Sequence, residues 1–116
     1  MNDAPTLPWP TQALEAALQV HRPGLCVQVV AATGSTNTDL VDRLRGGDAT
    51  PVLRVAEHQT AGRGRNGRAW AAAPGASLTF SLGLPLAPAD WSGLSLAVGA
   101  TLAQAIEPQP ARLQLK

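Results

Sequence analysis

The stretch "PVLRVAEHQTAGRGRNGRAW", Pro51 to Trp70, joins two unlike halves. Its first nine residues read as a strand, with Leu53, Val55 and Glu57 alternating against Val52, Arg54, Ala56 and His58. The remainder sets Gly62, Gly64 and Gly67 among Arg63, Arg65 and Arg68, with no acidic residue between them. Glycine removes side-chain bulk and permits positive φ, so backbone N–H groups can turn inward around an anion. Arginine adds a planar, permanently charged fork suited to phosphate or carboxylate oxygens. Together they describe a site for a small, highly charged ligand at a strand end, where sheet proteins place ligands. On composition alone the segment reads equally well as a mobile, solvated loop.

The residues after Trp70 decide the fold. Positions 62, 64 and 67 match Gly-x-Gly-x-x-Gly, but a dinucleotide fingerprint opens a helix, whereas "RAWAAAPG" leads to another turn and strand. The Gly-Lys-Ser/Thr ending of a phosphate-binding P-loop is also missing. On the N-terminal side, "TQALEAALQVHR" carries Leu14 and Leu18 at helical spacing and is stopped by Pro23-Gly24. "LCVQVVAA" reads as a strand, and "NTDLVDRLRGG" as a helix entered through the turn "TGST". "AAAPGASLTFSLGLPL" alternates through Leu78, Phe80 and Leu82, "LSLAVGATLAQAIE" is an apolar helix capped by Asp90 or Ser92, and "ARLQLK" alternates like the first half of a strand. This order predicts an α+β domain with a mixed or antiparallel sheet and helices on one side. Residues 1–24 form an N-terminal arm and short helix, the arm flexible or draped on the surface; residues 25–116 form the sheet domain, which looks cut off at its C-terminal end.

Bulk properties bound the function. A chain of 116 residues supports one small domain, and 45% apolar residues suffice for a core. The formal charge of +1 argues against a protein that holds nucleic acid or a membrane through its overall field, so an anion site must be local. Cys26 stands alone in an apolar run and reads as a small buried hydrophobe. No stretch approaches the roughly 18 apolar residues of a membrane span, and the start lacks a secretory pattern, so a cytoplasmic protein is expected.

A second motif, "GSTN" at Gly34 to Asn37, places Ser35, Thr36 or Asn37 as a helix cap, and the same groups can donate to a ligand's polar ring or carbonyl. Trp70 closes the Arg/Gly segment and reads as its anchor in the core. His58 reads as a strand-end hydrogen-bonding residue rather than a base.

"STNTD", then "EHQTAGRGRNGRAW", then "SLTFSLGL" resemble, in that order, the catalytic domain of the biotin protein ligases, the biotin-[acetyl-CoA-carboxylase] ligase family. The resemblance runs from about Val27 to Lys116 and rests on a long, distinctive loop motif. It implies the sheet domain of class II synthetase and biotin synthetase type, of which only the N-terminal portion is present. It also implies a reaction in which biotin and ATP, with Mg²⁺, form biotinyl-5′-adenylate and pyrophosphate, and the acyl group passes to a lysine of biotin carboxyl carrier protein. Ser35 and Thr36, with Asn37 beside them, resemble the residues that meet the biotin ureido group, and Gln59 a polar contact at the same pocket. Gly62, Arg63, Gly64 and Arg65 resemble the loop that closes over the adenylate, and Arg68 and Trp70 its adenine side. Thr79 and Ser81 fall on the pocket strand. Lys116 resembles the first residue of a Lys-Trp-Pro-Asn-Asp motif, giving Arg63, Arg65 and Lys116 as catalytic residues.

Asn66 departs from the arginine often found there. Glu57 stays open as a contributor to Mg²⁺ binding, with most of its ligands expected from phosphate. No protein metal site, membrane contact or DNA binding is expected, the ligase-only class being the closer match, and a homodimer stays open. Two other functions remain: a lipoate or octanoate transferase, and a non-enzymatic module for RNA or another polyanion, which would need aromatic residues for stacking that are scarce here.

Overall fold

The computed structural model describes residues 4–106. Helix α1 (Thr11–Gln19) leads into β1 (Cys26–Thr33), helix α2 (Thr36–Arg45) and β2 (Val52–Gln59). The Arg/Gly segment comes next as two short strands, β3 (Gly62–Arg63) and β4 (Ala69–Trp70), before β5 (Thr79–Gly83) and helix α3 (Leu94–Ile106). The fold is mixed α+β: β1 pairs parallel with β2, and β2 pairs antiparallel with β5, giving the order β1-β2-β5. A second ribbon pairs β3 with β4. The chain divides into two compact units, the first ending at Pro85 and the second starting at Leu86. The expected final strand at "ARLQLK" lies outside the described residues.

The core of the first unit is Leu25, Val27, Val30, Leu40, Val52, Val55 and Ala56, all buried. Helix α2 sits on the Arg54 face of the sheet, with Leu40 reaching towards Gly83 and Val52. Polar order reinforces this packing. Asp39 accepts from Thr33 Oγ1 at 2.6 Å and Arg54 Nε at 3.0 Å, and Arg54 Nη1 donates to Gln28 at 3.1 Å, tying α2 to both parallel strands. Acidic Asp39 in the first turn of α2 and basic Arg43 and Arg45 in the last complement its dipole. On the open edge of β1, Val27 N donates to Glu15 of α1 at 2.8 Å, which occupies a donor that would otherwise offer an edge for pairing.

Several expectations are corrected. Strand β2 does not alternate between inside and outside: Val55, Ala56 and Glu57 are buried in succession, because both faces are covered. In β5 the sense of the alternation is reversed. Thr79 and Ser81 lie half-buried, while Leu78, Phe80 and Leu82 are 66%, 40% and 51% exposed. Cys26 is only half-buried. In the second unit, Asp90 Oδ1 accepts from Ser92 N in a tight turn, and α3 begins only at Leu94, so neither residue caps it directly. Residues 6–9 of the arm are tied to the sheet by hydrogen bonds to Glu57.

Candidate active site

The turn between β1 and α2 divides its labour. Ser35 takes an extended conformation and its hydroxyl accepts from Thr38 N at 3.2 Å, making it the cap. Thr36 turns inward and is 2% exposed. Its N–H donates to Gln59 Oε1 at 2.7 Å, and its Oγ1 lies 3.2 Å from the same oxygen and 2.7 Å from Ser81 Oγ. An amide oxygen only accepts, so the Thr36 hydroxyl gives its one proton to Gln59 and takes one from Ser81. Three elements, α2, β2 and β5, thereby lock into one polar cluster. Gln59 Nε2 finds no acceptor among the described residues and faces the ribbon.

The Arg/Gly segment is folded rather than a plain loop. Asn66 (φ 57°, ψ 31°) and Gly67 (φ 71°) both adopt positive φ, and Arg68 N donates to Arg65 O at 3.3 Å. Asn-Gly in that conformation is the turn whose twist suits a two-residue hairpin. The departure at Asn66 therefore has a local cause: asparagine tolerates the left-handed region better than arginine. Gly62 is buried where the legs cross, its place for a Cβ lying 2.9 Å from Trp70 O and 3.0 Å from Gln59 Nε2. Trp70 does not enter the core: it is 66% exposed, and its ring edge passes over Gly64. Arg63, Arg65 and Arg68 are exposed, and no described acceptor engages them, whereas Arg43 and Arg54 are paired with Asp48 and Asp39.

Between the capped turn, β5 and the ribbon lies an open cleft of about 530 Å³. Ser35, Thr36, Asn37, Gln59, Arg63, Trp70, Thr79 and Ser81 all line it. Gly62, Gly64, Arg65 and Arg68 belong to the same ribbon but are not among the lining residues. Lys116 lies outside the described residues. The cleft is of ligand size, with a hydroxyl-rich floor and one guanidinium in its wall. The lining also includes Ser77, Leu78 and Phe80, not singled out in the sequence as ligand contacts; their place on the strand beside Thr79 and Ser81 was the available signal.

The open question at Glu57 and the expectation at His58 are both decided by their surroundings. Glu57 is 8% exposed and accepts from Thr6 N (2.8 Å), Thr6 Oγ1 (2.6 Å), Leu7 N (2.8 Å) and Trp9 Nε1 (3.0 Å). The Thr6 hydroxyl first, then the Leu7 N–H, hold its carboxyl below the usual glutamate value of 4.5. A carboxylate so occupied has little left for a metal. His58 Nδ1 is buried without a hydrogen-bond partner, so the expected strand-end bond is absent. Among the described residues no group of three or more His, Cys, Asp and Glu could hold a metal ion, and no helix is long and apolar enough to cross a membrane.

A family model described as the biotin/lipoate A/B protein ligase family matches residues 29–108. The biotin--[acetyl-CoA-carboxylase] ligase of Mycobacterium tuberculosis is 45% identical over 86 residues, covering 71% of this chain and 32% of that protein. The bifunctional ligase/repressor BirA proteins of Salmonella typhimurium and Escherichia coli are 41% and 40% identical over 107 residues, covering 87% of this chain and 32% of each. The chain thus spans about a third of the length of the curated relatives it matches.

Proposed function

The chain belongs to the biotin/lipoate A/B protein ligase family, and from that premise we propose that it supplies the N-terminal part of the active site of an ATP-dependent biotin protein ligase. One observation carries this reading beyond the family: a folded ribbon bearing three unpaired guanidinium groups puts one of them, Arg63, in the wall of a hydroxyl-floored cleft. The ribbon suits a polyanionic phosphate chain, and the floor suits a neutral, hydrogen-bonding ring. In the first step a carboxylate oxygen of biotin attacks the α-phosphorus of ATP and pyrophosphate leaves. Arg63 and Arg65 offset the like charge of the two approaching oxygens. In the second step a lysine amine of biotin carboxyl carrier protein attacks the acyl carbon, AMP departs, and the amine loses a proton. No covalent enzyme intermediate is needed.

Ser35, Thr36, Asn37, Gln59, Thr79 and Ser81 are assigned to biotin, and Gly62, Gly64, Arg68 and Trp70 to the adenylate. Because the Thr36 hydroxyl proton is already committed to Gln59, the free Nε2 group of Gln59 is the better donor to the ligand. Mg²⁺ would be held through phosphate oxygens, with Glu57 left to the arm. Lys116 is assigned to the same reaction on motif position alone. Such a ligase acts in the cytoplasm, where its carrier protein resides. The repressor role in the names of two relatives is said of those proteins.

Native mass spectrometry with a non-hydrolysable biotinyl-adenylate analogue tests the proposal. The chain is expected to retain it, to prefer it over the lipoyl analogue, and to lose about tenfold in affinity in Arg63→Ala, since bonds between charged groups are worth that much. Equal retention of both analogues would move the assignment to a lipoate-type transferase. A chain that retains neither, but binds RNA with steep salt dependence, would overturn it.

A further inference from the structure

The ligase reaction leaves Glu57 and the N-terminal arm without work, yet both are built with care. The Glu57 carboxylate gathers four donors from residues 6–9, two of them backbone N–H groups that only a proline substitution in the arm would remove. Glu57 also stands at a crossing. Two residues further along β2 is Gln59, whose amide meets both Thr36 and the ribbon at Gly62. Glu57 O accepts from Gly75 N at 3.4 Å, a bond between the sheet and the segment that returns from the ribbon to β5.

The two legs of the ribbon are held unequally. The entering leg is fixed to the end of β1, with Thr60 N donating to Thr33 O at 2.9 Å and Ala61 N to Gly34 O at 2.8 Å. The returning leg has the long Gly75 bond and a turn of its own, Ala76 N to Ala73 O. Between the arm and that leg lies an open cavity of about 270 Å³, lined by Leu7, Trp9, Glu57, Gly75, Ser77 and Leu78. Ser77 and Leu78 line the ligand cleft as well. A shift of the returning leg into the cavity therefore moves a wall of the cleft.

We propose that residues 6–9 are a strap, and that Glu57 is the positioning residue through which the strap holds the returning leg of the arginine ribbon beside the cleft. The strap does not touch the ligand. It sets how often the ribbon opens and thus how long a ligand in the cleft stays bound. Only the residence-time readout rests on the ligase reading; ribbon opening is read without a ligand.

Trypsin supplies that readout, because Arg63, Arg65 and Arg68 are its targets in the ribbon while Arg54 lies in the sheet and is cut only on unfolding. Glu57→Gln, which loses the charge, is expected to raise ribbon cleavage about tenfold, and Trp9→Phe, which loses one donor, about threefold. Cleavage at Arg54 stays unchanged in both. The dissociation rate of the biotinyl-adenylate analogue rises in parallel. NMR of the Trp9 indole N–H in the Glu57→Gln protein shows whether the arm has been released. An arm released with ribbon cleavage unchanged would overturn the strap, as would an equal rise at Arg54 in Trp9→Phe. If the wild-type chain does not bind the analogue, the ligase reading fails while the cleavage ratio still decides the strap.

Discussion

Gly62→Ala is expected to open the arginine ribbon while leaving the sheet folded. A methyl group on Gly62 would stand 2.9 Å from Trp70 O and 3.0 Å from Gln59 Nε2. The first contact is with backbone and cannot be relieved by a rotamer change, so β3 and β4 must move apart, whereas the second is with a side-chain end. Overpacking of this kind costs about 1–3 kcal/mol. The ribbon that resists it has two residue pairs, Gly62 with Trp70 and Arg63 with Ala69, and each net hydrogen bond is worth only about 0.5–1.5 kcal/mol. The end of β2 is held by the Thr36–Gln59–Ser81 cluster and the buried core behind it, so β4 yields. Opening of the ribbon should increase about tenfold, the equivalent of about 1.4 kcal/mol, with global stability lowered by less than about 1 kcal/mol. Gly64→Ala is the control, since its Cβ would meet Trp70 Cε3 at 3.6 Å and Arg68 O at 3.7 Å, ordinary contacts. Tryptic cleavage at Arg63, Arg65 and Arg68, compared with urea unfolding, separates the two effects. Equal cleavage of the two variants, or a Gly62→Ala protein with an intact ribbon, would refute the reasoning.

Thr36→Val removes a 2%-exposed hydroxyl that serves both Gln59 and Ser81, and should destabilise the protein by about 1–3 kcal/mol in urea denaturation; a loss below about 0.5 kcal/mol would show that the cluster is not structural. Asn66→Gly should leave the ribbon as protected as in the parent, whereas Asn66→Val, forced to φ 57°, should loosen it by about 1–2 kcal/mol in the same cleavage assay. Acid should release the arm before the sheet unfolds. The folded pKa of Glu57 lies below 4.5, so its contribution is fully present above that value and is lost as pH falls through the folded pKa. Asp48 and Asp90, also lowered by local bonds to Thr50 and Ser92, act in the same direction, and Glu57→Gln isolates the glutamate. The Trp9 indole N–H resonance should therefore move below pH 4.5 in the parent and be insensitive to pH in Glu57→Gln.

The motifs were legible because they are local. Ser35 as a helix cap, the strand before the Arg/Gly segment, and the grouping of "STN" with Gln59 and Ser81 come from spacing and from the family resemblance. All of those residues meet at one cleft. The hairpin was also written in the chain, in Asn66-Gly67 between Arg65 and Arg68, but the same glycines suit an anion-binding loop equally well, and composition does not separate the two.

Other features depended on partners far away in sequence. Alternation in β5 shows which residues share a face, not which face is buried; Thr79 and Ser81 go inward because Thr36 and α2 wait there, leaving Leu78 and Phe80 outside. Trp70 looked like core by its size, yet lies over Gly64 because its strand pairs in a ribbon beyond the sheet. Glu57 stays open in the sequence as a Mg²⁺ contact at a strand end, and becomes the anchor of an arm because four donors arrive from residues 6–9. The sequence by itself determined the element types, the cap and the chemistry of the arginines, since these arise from a few neighbouring residues. The tertiary structure decided which polar groups were spent on one another and which remained available, because a hydrogen bond between distant segments is settled only when the chain has folded.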